Sequence, residues 1–244
     1  MEATTAPKMV PGYHHVPGNH CGSTALRNLL AFHGAEISEE MALGLGAGVS
    51  FYYVALDGQS PSRFTNGRAG RLEEQFVELT AAPIRLETFA DPEAGWEAAR
   101  AAVDGGRPAI LLTDLYYLDH YGSSAHFPGH AVILAGYDAE VAYLSDTSFE
   151  ELQTTRLDNL ARARHGKHPA LHLDGHMLTV PEGAELGTSA RPRGPRSSAM
   201  PSRCSILLLV TTRACRRCAG SPPRLVTGPS RSRTGLGARA FATR

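Results

Sequence analysis

No cysteine occurs between Gly22 and Arg203. Cys21 stands alone in the body of the chain, and Cys204, Cys215 and Cys218 follow only near the other end. One thiol in so long a body gives no intramolecular disulfide framework, which suits a reducing cytoplasm. Long apolar runs are missing as well. No segment approaches the roughly 20 residues that span a bilayer. The stretch MEATTAPKMV has neither the basic start nor the apolar centre of a signal peptide. The expectation is a cytoplasmic protein with no membrane partner.

Acidic residues are absent from Thr188 to Arg244, together with Lys, His, Asn, Gln, Tyr and Trp, while Arg occurs 12 times there. The other 12 basic residues therefore face all 24 acidic ones within 1–187, so a formal net charge of zero hides a body at −12. Such a body repels nucleic acid and attracts small cations. Any nucleic-acid binding by the basic end would be nonspecific.

In 188–244 only CSILLLV, residues 204–210, offers much apolar surface, so ordering entropy should win and leave a disordered basic tail. A shifted reading frame in a GC-rich gene is the other reading of this Arg, Ala, Gly and Pro mixture. The pair CRRC, 215–218, lacks a second half-site, and His14, His15 and His20 lack regular ligand spacing, so no metal is expected. GLGAG, 44–48, follows a helix rather than a strand and reads as a turn, so no dinucleotide cofactor is expected either. The 244 residues, 42% of them apolar, suffice for one core within 1–187, centred on about 10–180, plus an appendage.

The body alternates helical and extended patterns. Ala25, Leu26, Leu29, Leu30 and Phe32 share a helical face that ends at Gly34. Ser38 predicts an N-cap followed by Glu39 and Glu40, and Asn66 predicts a helix running to about Ala81. Asp91-Pro92-Glu93 is a strong helix start. Residues 49–56, 83–89, 108–115, 130–138 and 141–147 read as extended, 156–164 as a helix, and 171–180 as a last strand pair. Helices early and sheet later predict an α+β fold.

The chemistry centres on GNHCGSTALRNLLAFHG, residues 18–34, which sets Cys21 at a helix mouth. Unsatisfied N–H groups and the macrodipole favour a thiolate there. A nucleophile needs a base, and the base needs orienting. A hairpin turning near Asp138 would set His130 opposite about position 146, where Asp146 can fix the ring tautomer. The oxyanion donors expected are the Cys21 N–H, with His15 or Asn19 as the second. The polar, aromatic stretch DHYGSSAHFPGH, 119–130, reads equally as an active-site flap or a surface loop.

HCGSTALRNLLAFHG (20–34), ISEEMALGLGAGVSFYY (37–53), FPGHAVILAGYD (127–138) and YLSDT (143–147) resemble the N-terminal domain family of butirosin biosynthesis protein H. That resemblance implies a papain-like cysteine-peptidase fold, with N-terminal helices packed on an antiparallel sheet. It implies acyl transfer from an acyl carrier protein thioester to an amine of a small cationic acceptor, in antibiotic biosynthesis. Cys21 would carry the acyl group, His130 would move protons and Asp146 would orient His130. It also implies a further C-terminal domain, whose place the Arg-rich end takes, so this shortened chain need not be fully active. A patch of Arg63, Arg68 and Arg71 is the expected carrier-protein dock. A cysteine peptidase or amidase on the same triad, and a noncatalytic binding module, are the alternatives.

Overall fold

The computed structural model describes residues 6–55, 62–68, 70, 72–80, 82–168 and 171–184. Both readings of 188–244 fall outside these residues, as does Arg71. In chain order the elements are β1 (Lys8–Met9), α1 (Cys21–Phe32), α2 (Glu39–Leu45), β2 (Val49–Ala55), β3 (Arg63–Arg68), α3 (Leu72–Leu79), β4 (Arg85–Glu87), α4 (Pro92–Asp104), β5 (Ala109–Asp114), β6 (Pro128–Tyr137), β7 (Val141–Ser145), β8 (Gln153–Arg156), α5 (Leu157–Arg164), β9 (Lys167–His168), β10 (Leu171–His172) and β11 (Met177–Thr179).

A seven-stranded antiparallel sheet runs β4-β11-β5-β6-β7-β8, with β1 added to the end of β6. Strand alternation divides its side chains between two cores. Ile110, Leu112, Ala131, Ile133 and Leu178 face Leu26, Leu29 and Leu30 of α1 and Phe76 of α3. Ala109, Leu111, Val132, Leu134 and Leu144 face Ala99, Ala102 and Val103 of α4 and Leu160 and Ala163 of α5. Both central strands are therefore continuous apolar runs, because helices cover both faces. Each fully buried Leu of α1 contributes roughly 1.5–3 kcal/mol, which ties that helix, and the thiol at its first residue, to the sheet.

The α+β expectation holds, and the predicted caps form. The Met41 N–H donates to Ser38 Oγ at 3.1 Å, and Asp91 accepts from the N–H groups of Glu93 and Ala94. The predicted helix from Asn66 does not begin there. Asn66 lies in β3 opposite Tyr52 of β2, and α3 starts at Leu72. The predicted pair within 171–180 also divides: β10 pairs with β9, while β11 inserts between β4 and β5.

The β6–β7 register differs from the predicted one. Asp138 Oδ1 accepts from the N–H groups of Glu140 and Val141 and makes the turn there. An irregularity between Leu134 and Gly136 then sets Ser145 opposite Ile133. His130 and Asp146 are thus offset along neighbouring strands rather than directly opposed.

Candidate active site

The segment before α1 is fastened alongside the end of β7. Gly18 N–H donates to Thr147 O at 3.0 Å. The His15 ring reaches Ser145 Oγ through Nδ1 and Phe149 O through Nε2, each at 2.7 Å. These bonds bring residues 15–21 to the strand that ends beside Asp146. Glu39 closes the turn from the other side, accepting from the N–H groups of Asn19 and His20 at 2.9 and 2.8 Å. Burial opposes its charge, but those backbone donors hold its carboxyl below the usual value. His20 caps α1, its Nδ1 accepting from Ser23 N–H at 3.3 Å. Burial, then Arg68, pushes the His20 ring down, which suits a neutral acceptor.

Cys21, the first residue of α1, is a half-buried free thiol. His130 on β6 is 5% exposed, and its Nε2 lies 3.0 Å from Asp146 Oδ2. Burial disfavours a charged His130, but hydrogen bonds to Asp146 and Cys21, and the charge of both, outweigh it and push the ring up to about 10. Asp146 spends one oxygen on Nε2, so Nδ1 is the nitrogen left to serve the thiol. The predicted trio of Cys21, His130 and Asp146 meets in one place.

Asp146 takes more partners than the trio requires. His120 Nε2 also lies 3.0 Å from Oδ2, and the Tyr121 hydroxyl donates to Oδ1 at 3.1 Å. Burial resists ionisation of Asp146, yet the two imidazoles hold its carboxyl well below the usual range. Burial, followed by the Asp146 charge, pushes the Tyr121 phenol up, so it remains a donor. Sequence reasoning did not single out either residue. Their only signal was the polar, aromatic loop before His130.

Asp114 closes that loop at its base. It accepts from the Tyr116 and Phe127 N–H groups at 3.1 and 2.9 Å and pairs with His126 Nδ1 at 2.7 Å. Residues 119–130 thus contribute directly to the site.

The oxyanion expectation needs correcting at His15. Its two ring nitrogens are committed to Ser145 and Phe149, so no N–H is left to aim at a reacting carbonyl. Asn19 is exposed at the helix mouth, with only a 3.5 Å amide contact to Glu39. The Cys21 N–H belongs to the first turn of α1 and has no intrahelical acceptor. Of the expected oxyanion donors, these two remain. A cavity of about 330 Å³, lined in part by Asn19, His20, Ser23, Leu43 and Val49, opens on the Asn19 side of the helix mouth. Among the described residues no three His, Cys, Asp or Glu side chains converge to hold a metal ion. No helix among them is long and apolar enough to cross a membrane.

Glu73 on α3 packs over Gly22 and is 7% exposed. Burial, partly offset by its own backbone N–H, pushes its carboxyl up to about 7. It stays protonated through mildly acidic pH. The sign for stability follows from the raised folded value. The contribution is complete below the unfolded pKa and is lost as pH rises toward 7. Glu73→Gln should therefore melt with the wild type near pH 4.5 and be more stable at pH 8, by on the order of 3 kcal/mol. Equal melting of the two proteins at pH 8 would contradict this.

The site is thus a helix with a cysteine at its start, packed on an antiparallel sheet that presents histidine and aspartate. The family model of the butirosin biosynthesis protein H N-terminal domain matches residues 20–147, just over half of the chain and inclusive of all three side chains. Among solved structures, a C39-like peptidase from Bacillus anthracis is similar at TM-score 0.46 and 14% identity, over 73% of this chain and 98% of that one. No curated protein matches the chain.

Proposed function

The chain belongs to the family of the butirosin biosynthesis protein H N-terminal domain, and from that membership we propose that it is a cysteine-dependent acyltransferase. The observation that carries the reading is the meeting of Cys21, His130 and Asp146. The donor is an acyl group held as a thioester on a carrier protein, and the acceptor is a small cationic amine. In the first half-reaction the Cys21 sulfur bonds to the acyl carbon, the donor C–S bond breaks, and His130 protonates the departing thiolate. In the second the amine nitrogen attacks the acyl-Cys21 carbon, its proton passes to His130, and the Cys21 thiolate leaves. Exchange of one thioester for another is near neutral in energy, so no ATP is needed.

The Cys21 N–H and the Asn19 amide would receive the developing oxyanion. The charge of −12 over 1–187 draws a cationic acceptor inward. The same charge would repel an acidic carrier protein, so its dock is assigned to β3, where Arg63 and Arg68 are exposed.

Intact-protein mass spectrometry after incubation with acyl thioesters tests the reading. The wild type should gain one acyl mass, Cys21→Ala should gain none, and adding amine should discharge the adduct as an amide. A free acid formed while amine is present would make the chain a hydrolase on the same triad. An adduct that persists in Cys21→Ala would end the proposal.

A further inference from the structure

His120 comes to the site from outside the trio. It lies in the loop between β5 and β6, 26 positions before Asp146, and its side chain is only 5% exposed. Its Nε2 and the His130 Nε2 are both 3.0 Å from one oxygen, Asp146 Oδ2. The Asp146 carboxylate is wholly buried. A carboxylate only accepts, so both imidazoles must donate to it through Nε2–H. A neutral ring that donates through Nε2 accepts at Nδ1, and Thr155 Oγ1 lies 3.2 Å from the His120 Nδ1. Thr155 is itself buried, at 1% exposure. The hydroxyl can donate to Nδ1 and fix the tautomer. Protons then point one way, from Thr155 to His120 to Asp146.

The His120 ring is held against rotation. It meets Phe149 edge-on at 5.2 Å and lies tilted against Tyr121 at 4.9 Å. Tyr121 fastens the other oxygen of Asp146. With one donor on Oδ1 and a fixed imidazole on Oδ2, the carboxylate plane cannot turn away from His130.

We propose that His120 is a positioning residue: buried in the β5–β6 loop and oriented by Thr155, it holds Asp146 Oδ2 on the His130 ring and thereby sets the state of the Cys21–His130 pair. This rests on the acyltransferase reading for its consequence in turnover, while the coupling itself is a property of the fold. The loop that Asp114 closes is then part of the catalytic apparatus.

The test is a histidine NMR titration of His130 in full-length protein, with the resonance assigned by its loss in His130→Ala. The groups that act on His130 are Asp146, Cys21, Tyr121, whose hydroxyl lies 3.5 Å from Nε2, Glu73 and His20, and none of them is altered in the variants. His120→Leu should lower the His130 midpoint by about one pH unit, the scale of one lost charge-assisted hydrogen bond relayed through the carboxylate. His120→Gln, whose amide can still donate, should recover most of that shift. Thr155→Val should shift it in the same direction by less. Acylation of Cys21 should slow in the same order.

An unchanged midpoint in His120→Leu overturns the proposal. So does a raised midpoint, which would make His120 a competing cation, and so does equal damage from Leu and Gln, which would make it packing alone. The titration is independent of any acyl donor. Failure of the wild type to form an adduct would remove the acyltransferase reading and leave the NMR result to stand or fall separately.

Discussion

Replacing His130 with alanine should slow acylation of Cys21 about a thousandfold at neutral pH while the protein keeps its fold. His130 sits at the start of β6, where only one ring nitrogen is bound to Asp146. The other is the nearby base for the thiol. Without the ring, the thiol must ionise unaided and the departing thiolate must take its proton from water. The substitution removes a buried cation site as well as a base, so Asp146 keeps only His120 and Tyr121.

Asp146→Ala should cost nearly as much, because His130 loses both its orientation and the negative charge that holds its proton. Asp146→Asn should cost distinctly less. The amide oxygen can take the place of Oδ2 between the two imidazoles, and the Tyr121 hydroxyl can turn to accept from the amide nitrogen. Single-turnover acylation rates, read by mass, check the order alanine at 130, alanine at 146, asparagine at 146, wild type. A fully active His130→Ala would refute the assignment of the base.

The pH dependence carries its own sign. The folded value of His130 is raised to about 10. Its pairing therefore stabilises the fold fully below the usual imidazole range and is lost as pH climbs through about 10. Asp146 is depressed, so its contribution is present above the ordinary carboxylate range and disappears in strong acid. With Glu73 they predict that wild-type stability is greatest in mildly acidic solution, near pH 4–5, and declines up to about pH 10, and that in Asp146→Ala the part of the decline above about pH 6.5 is smaller and ends at lower pH.

Local chemistry made much of this legible in the sequence. Ser38 and Asp91 cap helices because a short side-chain oxygen beside free N–H groups needs no distant partner. Cys21 at a helix mouth was readable because the turn and the apolar period both lie within 18–34. The runs that became β5, β6 and β7 were long and apolar enough to declare themselves.

What escaped depends on distant partners. His15 looked like an oxyanion donor from its spacing, but Ser145 and Phe149, some 130 positions away, consume both of its nitrogens. His120 and Tyr121 were polar residues in a loop until Asp114 folded that loop onto Asp146. Asn66 carried a cap signal that lost to pairing with β2, a tertiary choice that no local preference encodes. The turn at 138–141 lies further along the chain than the predicted centre at Asp138, and the one-residue irregularity in β6 takes back only part of that shift, so His130 and Asp146 are not directly opposed. Their side chains still meet, because a diagonal neighbour on an adjacent strand remains within reach.

Arg164→Ala should destabilise the protein by about 3–5 kcal/mol, the range for emptying a core position and stripping buried polar groups of a partner. In sequence Arg164 is a last-turn arginine of an amphipathic helix, and such residues ordinarily point to water. In the fold it is 2% exposed. Its guanidinium donates to Gly95 O of α4 at 2.8 Å and to Gly175 O, just before β11, at 3.1 Å. Among the described residues no carboxylate pairs with it. Burial alone lowers it to about 10, so it remains charged at neutral pH and carbonyl oxygens hold that charge.

Alanine removes the guanidinium donor from both carbonyls and leaves a void where α5, α4 and the turn before β11 converge. Melting temperature should fall by roughly 10 °C, and a fall under about 2 °C would contradict the role given to the guanidinium. Arg164→Met separates charge from volume. If methionine loses much less than alanine, packing carries most of the effect and the desolvated charge is nearly balanced by its hydrogen bonds. If it loses as much, the two carbonyl bonds are what hold the elements together.

The consequence reaches the site through Arg162. Its guanidinium lies 4.6 Å from the centre of the Tyr117 ring, on the loop that delivers His120 and Tyr121 to Asp146. A helix α5 released from its anchor releases that loop as well. In Arg164→Ala, acylation should therefore fail at a lower temperature than global unfolding, whereas in the wild type the two should coincide.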